Sequence, residues 1–113
     1  KAEEQSVPFS VARLFIARLP EHASVQDIAA DMGLHARTLQ RRLSEAETSF
    51  RAVADFALAV AAERLLLDAG QSMDAIAEQL GFSSSASFRR TYKRIRGYTP
   101  TSFRKLSAVV ETV

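Results

Sequence analysis

The chain contains the same short pattern twice, and this internal repeat constrains its fold more than any other feature. Residues 24–34 are SVQDIAADMGL and residues 72–82 are SMDAIAEQLGF, so the second copy begins 48 residues after the first. Self-similarity at a fixed spacing is typical of a repeated structural unit. Each copy continues into an arginine-containing segment with helical periodicity. We therefore expect two versions of one helical unit.

The first copy has the pattern of two helices joined by a tight turn. Ser24 is a favoured N-cap residue, and Ile28 and Met32 follow it at helical spacing. Gly33 comes after the last periodic residue, where a left-handed backbone angle commonly ends a helix. A second helix is predicted over about residues 36–46. This arrangement is a helix-turn-helix.

The second predicted helix of the first copy has two different faces. Leu39 and Leu43 lie four residues apart and form an apolar face. The polar stripe, at positions i, i+3, i+4 and i+7, consists of Arg37, Gln40, Arg41 and Ser44. One face is therefore predicted to pack in a core, while the other presents cationic and hydrogen-bonding groups.

The second copy keeps this register after an insertion of one residue that follows Gly81. Phe88 and Tyr92 take the places of Leu39 and Leu43 on the apolar face. The stripe that corresponds to the polar stripe of the first copy is Ala86, Arg89, Arg90 and Lys93. The two copies are therefore expected to share a fold and to differ in the chemistry of the exposed face.

Charge is distributed unevenly along the chain. The net charge is only +2, but residues 79–110 contain seven basic and no acidic residues. Residues 1–78 contain eight basic and twelve acidic residues. Such asymmetry indicates that the second half faces an anion, although a solvated basic helix is the alternative when the run is taken alone.

Several function classes are not supported by the sequence. The chain has no cysteine, and His22 and His35 lie 13 residues apart without other ligands nearby, so no metal site or cofactor is expected. No nucleophile with a base at motif spacing, phosphate-binding glycine loop or paired carboxylates indicates an enzyme. No apolar run is long enough to span a membrane. The first residue is lysine and no signal peptide follows, which indicates a fragment or a processed chain, while the absence of cysteine is consistent with the reducing cytoplasm.

The rest of the chain is predicted to be helical, since no apolar alternation typical of strands persists. Pro8 suits the first turn of an initial helix, and Gly70 is expected to end a long helix that is apolar nearly all round. Thr99 and Pro100 begin a last helix, on which Phe103 and Leu106 are expected to pack. The predicted fold is all-α, with seven helices. The expected segments are a disordered linker (1–7), a first helix-turn-helix subdomain (8–49), a linking helix (50–69), a second such subdomain (70–108) and a tail (109–113).

These residues form a signature that resembles the C-terminal DNA-binding domain of AraC/XylS-type bacterial transcription regulators. Residues 37–43 (RTLQRRL) are similar to the first recognition helix of that family, and the resemblance covers about residues 8–106. The residues that carry it in the second copy are Ile76-Ala77, Gly81-Phe82-Ser83-Ser84, Phe88, Arg90, Tyr92-Lys93, Gly97, Thr99-Pro100 and Phe103-Arg104.

The resemblance implies a homeodomain-like duplication in which a long central helix joins two helix-turn-helix subdomains. Their second helices would enter successive major grooves of double-stranded promoter or operator DNA. It also implies RNA polymerase as a partner, together with an effector-binding or dimerisation domain that precedes this segment and is absent from it. The place of action would be the bacterial nucleoid.

The resemblance also assigns roles to individual residues. Arginine can bind guanine O6 and N7 with two hydrogen bonds, and glutamine can pair twice with adenine, whereas Ala86 offers only a methyl group. The residues implied to contact bases are Arg37, Gln40 and Arg41 in the first copy, and Ser85, Ala86, Ser87, Arg89 and Arg90 in the second. Contacts with phosphate are predicted from the side chains themselves, for basic residues on or beside the stripes and for hydroxyl groups at helix starts. These residues are Arg42, Ser83, Ser84, Lys93, Arg94, Arg96 and Thr99.

Other interpretations of these residues stay open at this point. Arg41 could form an ion pair with Glu45 one turn later, and Ser83, Ser84 and Thr99 could act only as helix caps. For the whole chain, the alternative is an all-helical protein-interaction module whose basic face binds an acidic protein.

Overall fold

The computed structural model of the chain describes the backbone of residues 2–112 and the side chains of residues 6–111. As predicted, the described residues form seven α-helices and no strand. The helices are α1 (Ala2–Arg18), α2 (Val25–Asp31), α3 (Ala36–Glu45), α4 (Phe50–Leu66), α5 (Met73–Gln79), α6 (Ser85–Arg96) and α7 (Pro100–Thr112). The chain divides into two compact units, Lys1–Ala57 and Leu58–Val113, so α4 contributes residues to both.

The first unit contains a three-helix core in which α1 packs against α2 and α3. Its completely buried side chains include Val11 of α1, Ile28 of α2, and both Leu39 and Leu43 of α3. Burying a leucine or isoleucine side chain contributes ~1.5–3 kcal/mol, so these contacts dominate the stability of the unit. The apolar face of α3 is therefore the one that the sequence predicts.

A charged contact joins α1 to the end of α2. Arg18 Nε donates to Asp31 Oδ2 and Arg18 Nη2 donates to Asp31 Oδ1, both at 2.9 Å. Two parallel hydrogen bonds of this kind fix orientation as well as distance. The contact holds the pKa of the Asp31 carboxyl below its ordinary value and raises the pKa of Arg18.

Local signals in the sequence fix the helix-turn-helix of the first unit, which we call the first head (α2 and α3). Ser24 Oγ accepts a hydrogen bond from Asp27 N, and Asp27 Oδ2 accepts one from Ser24 N, both at 3.1 Å, which completes a capping box. Gly33 has a φ of 71°, in the left-handed region that the turn requires. The predicted beginning and end of α2 are therefore confirmed.

The second unit repeats this design in its own helix-turn-helix, which we call the second head (α5 and α6). Ser72 Oγ accepts a hydrogen bond from Ala75 N at 3.0 Å, and Gly81 has a φ of 86°. Phe88 and Tyr92 of α6 are each 2% exposed, and their ring centroids lie 6.0 Å apart. These aromatic residues are part of the core, as their helical spacing predicts.

Arginine 104 attaches α7 to the C-terminal end of α4. Its Nε donates to the carbonyl oxygen of Leu66 at 2.9 Å, and its Nη2 donates to that of Asp68 at 3.1 Å. The last carbonyls of a helix lack partners within the helix and carry partial negative charge, so a guanidinium is a favourable partner. Arg104 therefore has a structural role in the second unit.

Three predicted helix boundaries were wrong. Helix α1 begins at Ala2 rather than at Pro8, so residues 2–7 are helical and not a linker, and residue 1 lies outside the described residues. Val7 is buried one turn before Val11, which extends the apolar face of the helix past the proline. Helix α4 ends at Leu66, and α7 continues to Thr112, so most of the expected tail is helical.

Two predictions about burial were also wrong. Leu106 is 62% exposed and does not pack α7 onto its unit. Phe56 of α4 and Leu67, which follows the helix, are also exposed, although this segment was expected to be buried on most sides. Helical spacing shows which residues share a face, but it does not show whether another element lies opposite that face. At 17 residues, α4 is about 25 Å long rather than the ~30 Å expected for twenty residues.

We predict that Glu47→Gly stabilises the protein. Glu47 follows α3 with a φ of 62°, a left-handed angle that costs a residue with a Cβ ~1–2 kcal/mol and glycine almost nothing. Glycine also has more conformational entropy in the unfolded chain, which offsets part of this gain. We therefore expect urea denaturation to show a net increase of ~0.5–1 kcal/mol in the free energy of unfolding. Ser44→Gly, inside the same helix, is the control and should destabilise it. A loss of stability in both variants would contradict this account.

Candidate nucleic-acid interface

The recognition helix of the first head, α3, exposes the predicted polar stripe. Arg37, Gln40 and Arg41 are exposed, while Leu39 and Leu43 on the opposite side are completely buried. Burial of the leucines fixes which side of α3 faces solvent. The structure therefore brings the three residues predicted to contact bases onto one exposed surface, with Arg42 also exposed beside them.

The ion pair considered as an alternative role for Arg41 is present. Arg41 Nη1 lies 3.2 Å from Glu45 Oε2, and the two side chains are 59% and 46% exposed. An exposed pair four residues apart on a helix contributes only ~0.3–0.5 kcal/mol. A double hydrogen bond to guanine discriminates by ~1–3 kcal/mol, so the ion pair does not prevent Arg41 from contacting a base.

The recognition helix of the second head, α6, also exposes most of its predicted residues. Ser85 and Ser87, in the first turn, are half-buried. The exposed residues of α6 among those predicted to contact DNA are Ala86, Arg89, Arg90, Lys93 and Arg94. This surface is more cationic than that of α3, but its first turn has no long polar side chain.

Two of the hydroxyl groups assigned to phosphate contact act as helix caps. Ser84 Oγ accepts a hydrogen bond from Ser87 N at 3.1 Å at the start of α6. Thr99 Oγ1 accepts one from Ser102 N at 3.0 Å at the start of α7. In the absence of DNA, both hydroxyl groups therefore act as helix caps. Ser83, which precedes the cap of α6, is exposed.

Arg96 was predicted to contact phosphate, but it forms an ion pair within the protein. Its Nε donates to Glu63 Oε2 at 2.7 Å and its Nη2 donates to Glu63 Oε1 at 2.9 Å. Tyr92 Oη donates to the same Oε2 at 2.7 Å, so the carboxylate of α4 receives three hydrogen bonds from α6. The Arg96 and Glu63 side chains are 26% and 17% exposed. In this structure the guanidinium of Arg96 is therefore bound within the protein, and its predicted contact with phosphate stays a prediction.

The environment of this carboxylate changes the pKa values of its partners. Burial raises the pKa of Tyr92, and the hydrogen bond to Glu63 raises it further. The hydrogen bond to Glu63 also raises the pKa of Arg96. Tyr92 is therefore a neutral donor and Arg96 a cation at physiological pH. Sequence reasoning missed Glu63, because it lies 33 residues from Arg96 and no local pattern connects them.

The excess positive charge of residues 79–110 divides into a structural and an exposed part. Arg96 and Arg104 are half-buried and engaged with α4 or the residues that follow it. The exposed cations are Arg89, Arg90, Lys93, Arg94 and Lys105. Five of the seven basic residues thus remain on the surface, four of them on α6.

No helix among residues 2–112 is both long and apolar enough to cross a membrane.

Comparison with known proteins agrees with the two-headed architecture. A family model described as a helix-turn-helix domain matches residues 28–106. A helix-turn-helix-type transcriptional regulator of Mycobacterium tuberculosis is 35% identical over 77 residues, which cover 68% of this chain and 22% of the regulator. The chain therefore spans less than a third of the length of that relative.

Solved structures show the same fold. An AraC-type transcriptional regulator from Chromobacterium violaceum superposes with a TM-score of 0.78 and 27% identity, over 93% of this chain and 95% of that one. The DNA-binding domain of AdpA, in complex with a target DNA, superposes with a TM-score of 0.69 and 26% identity, over 88% and 90% of the two chains. Together with the family match and the two helix-turn-helix heads, these similarities show that the chain belongs to the AraC-type helix-turn-helix family of DNA-binding domains.

Proposed function

We propose that the chain binds double-stranded DNA with α3 and α6 each in a major groove, and that the two heads contribute unequally. The observation that carries this proposal is the division of each recognition helix into a buried apolar pair and an exposed polar stripe. The width of the major groove, ~12 Å, admits a helix in this way. The match to a helix-turn-helix family model and the similarity to the AdpA domain, whose structure is in complex with a target DNA, support the assignment.

In this proposal the first head supplies most of the base discrimination. Arg37 and Arg41 are exposed and can each donate two hydrogen bonds to guanine, and Gln40 can pair twice with adenine. Arg42, exposed beside the stripe, contacts phosphate. Each double hydrogen bond to the correct base discriminates by ~1–3 kcal/mol.

The second head supplies most of the electrostatic affinity. Lys93 and Arg94 contact phosphate, and Arg89 and Arg90 contact bases or phosphates in the groove. Ala86 contributes at most a methyl contact, for which thymine is the partner. Ser83 lies next to the N-terminus of α6, where backbone amides favour an anion, and contacts phosphate there. Because phosphate contacts release bound counterions, binding weakens as salt rises.

The regulator as a whole is proposed to act at promoters in the bacterial cytoplasm. An effector-binding or dimerisation domain on the N-terminal side is the proposed partner within the regulator. The matched segments span only 22% and 28% of two transcriptional regulators that this chain resembles. RNA polymerase is the proposed partner at the promoter.

We predict that Arg37→Ala weakens binding to a duplex selected from a random pool by ~1–3 kcal/mol, because a double hydrogen bond to guanine is lost. Binding to random duplex should change little. The dissociation constants on both duplexes are measured by fluorescence anisotropy. Arg13→Ala, which removes an exposed arginine of α1, is the matched control and should leave both constants unchanged. Equal losses on selected and random DNA would reject the assignment of Arg37 to base contact.

We predict that removing an exposed cation of α6 reduces the salt dependence of DNA binding, whereas removing the ion-paired cation does not. On random duplex, the logarithm of the association constant falls as log salt rises, and Lys93→Met should make this negative slope shallower by ~0.9, the value for one phosphate contact. Arg96→Met should leave the slope unchanged, because its guanidinium is bound to Glu63. Binding is measured at a temperature at which circular dichroism shows both variants folded. A shallower slope for Arg96→Met, with or without one for Lys93→Met, would show that Arg96 contacts phosphate in spite of its ion pair.

A further inference from the structure

One carboxylate on α4 receives hydrogen bonds from two residues of the second recognition helix. Tyr92 Oη and Arg96 Nε both lie 2.7 Å from Glu63 Oε2, and Arg96 Nη2 lies 2.9 Å from Oε1. Tyr92 and Arg96 are four residues apart, so they project from the same side of α6. Both oxygens of Glu63 are thus engaged with the helix that carries the DNA-contacting residues.

We propose that Glu63 is a positioning residue that fixes the rotation of α6 about its own axis and thereby determines which phosphates and bases the second head contacts. The inference rests on the proposed function of α6 as a recognition helix. Glu63 itself does not touch DNA in this proposal.

Burial of the apolar pair decides which side of α6 faces the core, but apolar packing alone leaves the exact rotation of the helix less well defined. The hydrophobic effect is non-directional, so burial of Phe88 and Tyr92 fixes the depth of α6 more firmly than its rotation. A charge-assisted double hydrogen bond depends on angle as well as distance. Half-burial of the Glu63 and Arg96 side chains strengthens these bonds, because the local dielectric is lower than that of water.

The position of the network on α6 makes it sensitive to rotation. At ~100° per residue, Arg96 lies ~20° and Tyr92 ~60° around the helix axis from Arg89 in the same direction, so the network borders one side of the cationic stripe. A rotation of ~20° moves a side-chain tip ~6 Å from the axis by ~2 Å. Hydrogen bonds form over a range of only ~0.5 Å, so such a rotation would change the contacts that Arg89 can make.

The first unit offers a matched comparison. Its double hydrogen bond joins Arg18 of α1 to Asp31 at the end of α2, and neither residue belongs to the recognition helix α3. Breaking this pair should reduce stability without rotating a recognition helix. Asp31→Asn is therefore the control for effects of stability alone.

The test compares Glu63→Gln, Tyr92→Phe and Asp31→Asn with the unmodified chain on a duplex selected from a random pool. Ethylation interference identifies the phosphates that each protein needs, and loss of interference in Lys93→Met identifies those of the second head. Glu63→Gln is expected to weaken binding about 3- to 10-fold and to change the interference pattern of the second head only. Tyr92→Phe, which keeps the ring and removes one hydroxyl, should change the same positions to a smaller extent. Asp31→Asn should keep every position.

The proposal is overturned if Glu63→Gln and Tyr92→Phe weaken binding while every interference position stays the same, since that result describes a purely structural role. It is also overturned if Asp31→Asn changes the second-head pattern equally. If Glu63→Gln does not fold, the pattern of Tyr92→Phe decides in the same way. Failure of the unmodified chain to select any sequence would instead reject the proposed function, and this inference with it.

Discussion

The burial of two side chains four residues apart on each recognition helix is the constraint on which the rest of the structure depends. Leu39 and Leu43 in α3, and Phe88 and Tyr92 in α6, occupy the cores of their units. Because a helix is rigid, fixing one side in a core determines which residues lie on the opposite side. The caps and the glycine turns place each helix, and the buried pair then orients its polar stripe toward solvent.

The same constraint permits the two heads to diverge. Once the apolar pair is kept, the exposed stripe can change without loss of the fold, and it differs at every matched position except the arginine pair Arg41 and Arg90. The first head keeps long side chains that can form double hydrogen bonds with bases, whereas the second has Ala86 where the first has Arg37. The second compensates with a denser set of exposed cations. These differences are the basis of the proposed division between base discrimination in the first head and electrostatic affinity in the second.

Local features of the fold could be predicted from the sequence, whereas contacts between distant residues could not. The left-handed angles at Gly33 and Gly81 follow from the residue type and its place after a periodic segment. The ion pair between Glu63 and Arg96 has no such signature, since each residue alone has the pattern of an exposed charge. Leu106 was placed in a core because periodicity identifies a face without its partner. The exposure of the two polar stripes could therefore be predicted from the sequence, whereas the engagement of Arg96 with Glu63 required the structure.

The unequal roles of the two heads can be tested most directly by methylation interference with dimethyl sulfate on a selected duplex. Methylation of guanine N7 blocks the acceptor that a double hydrogen bond from arginine uses. The account predicts strong interference at guanines in the block of base pairs contacted by the first head, and weak interference in the block contacted by the second head. In Arg37→Ala, interference at one or more guanines of the first block should be lost. Equal interference in both blocks, or none that depends on Arg37, would contradict it.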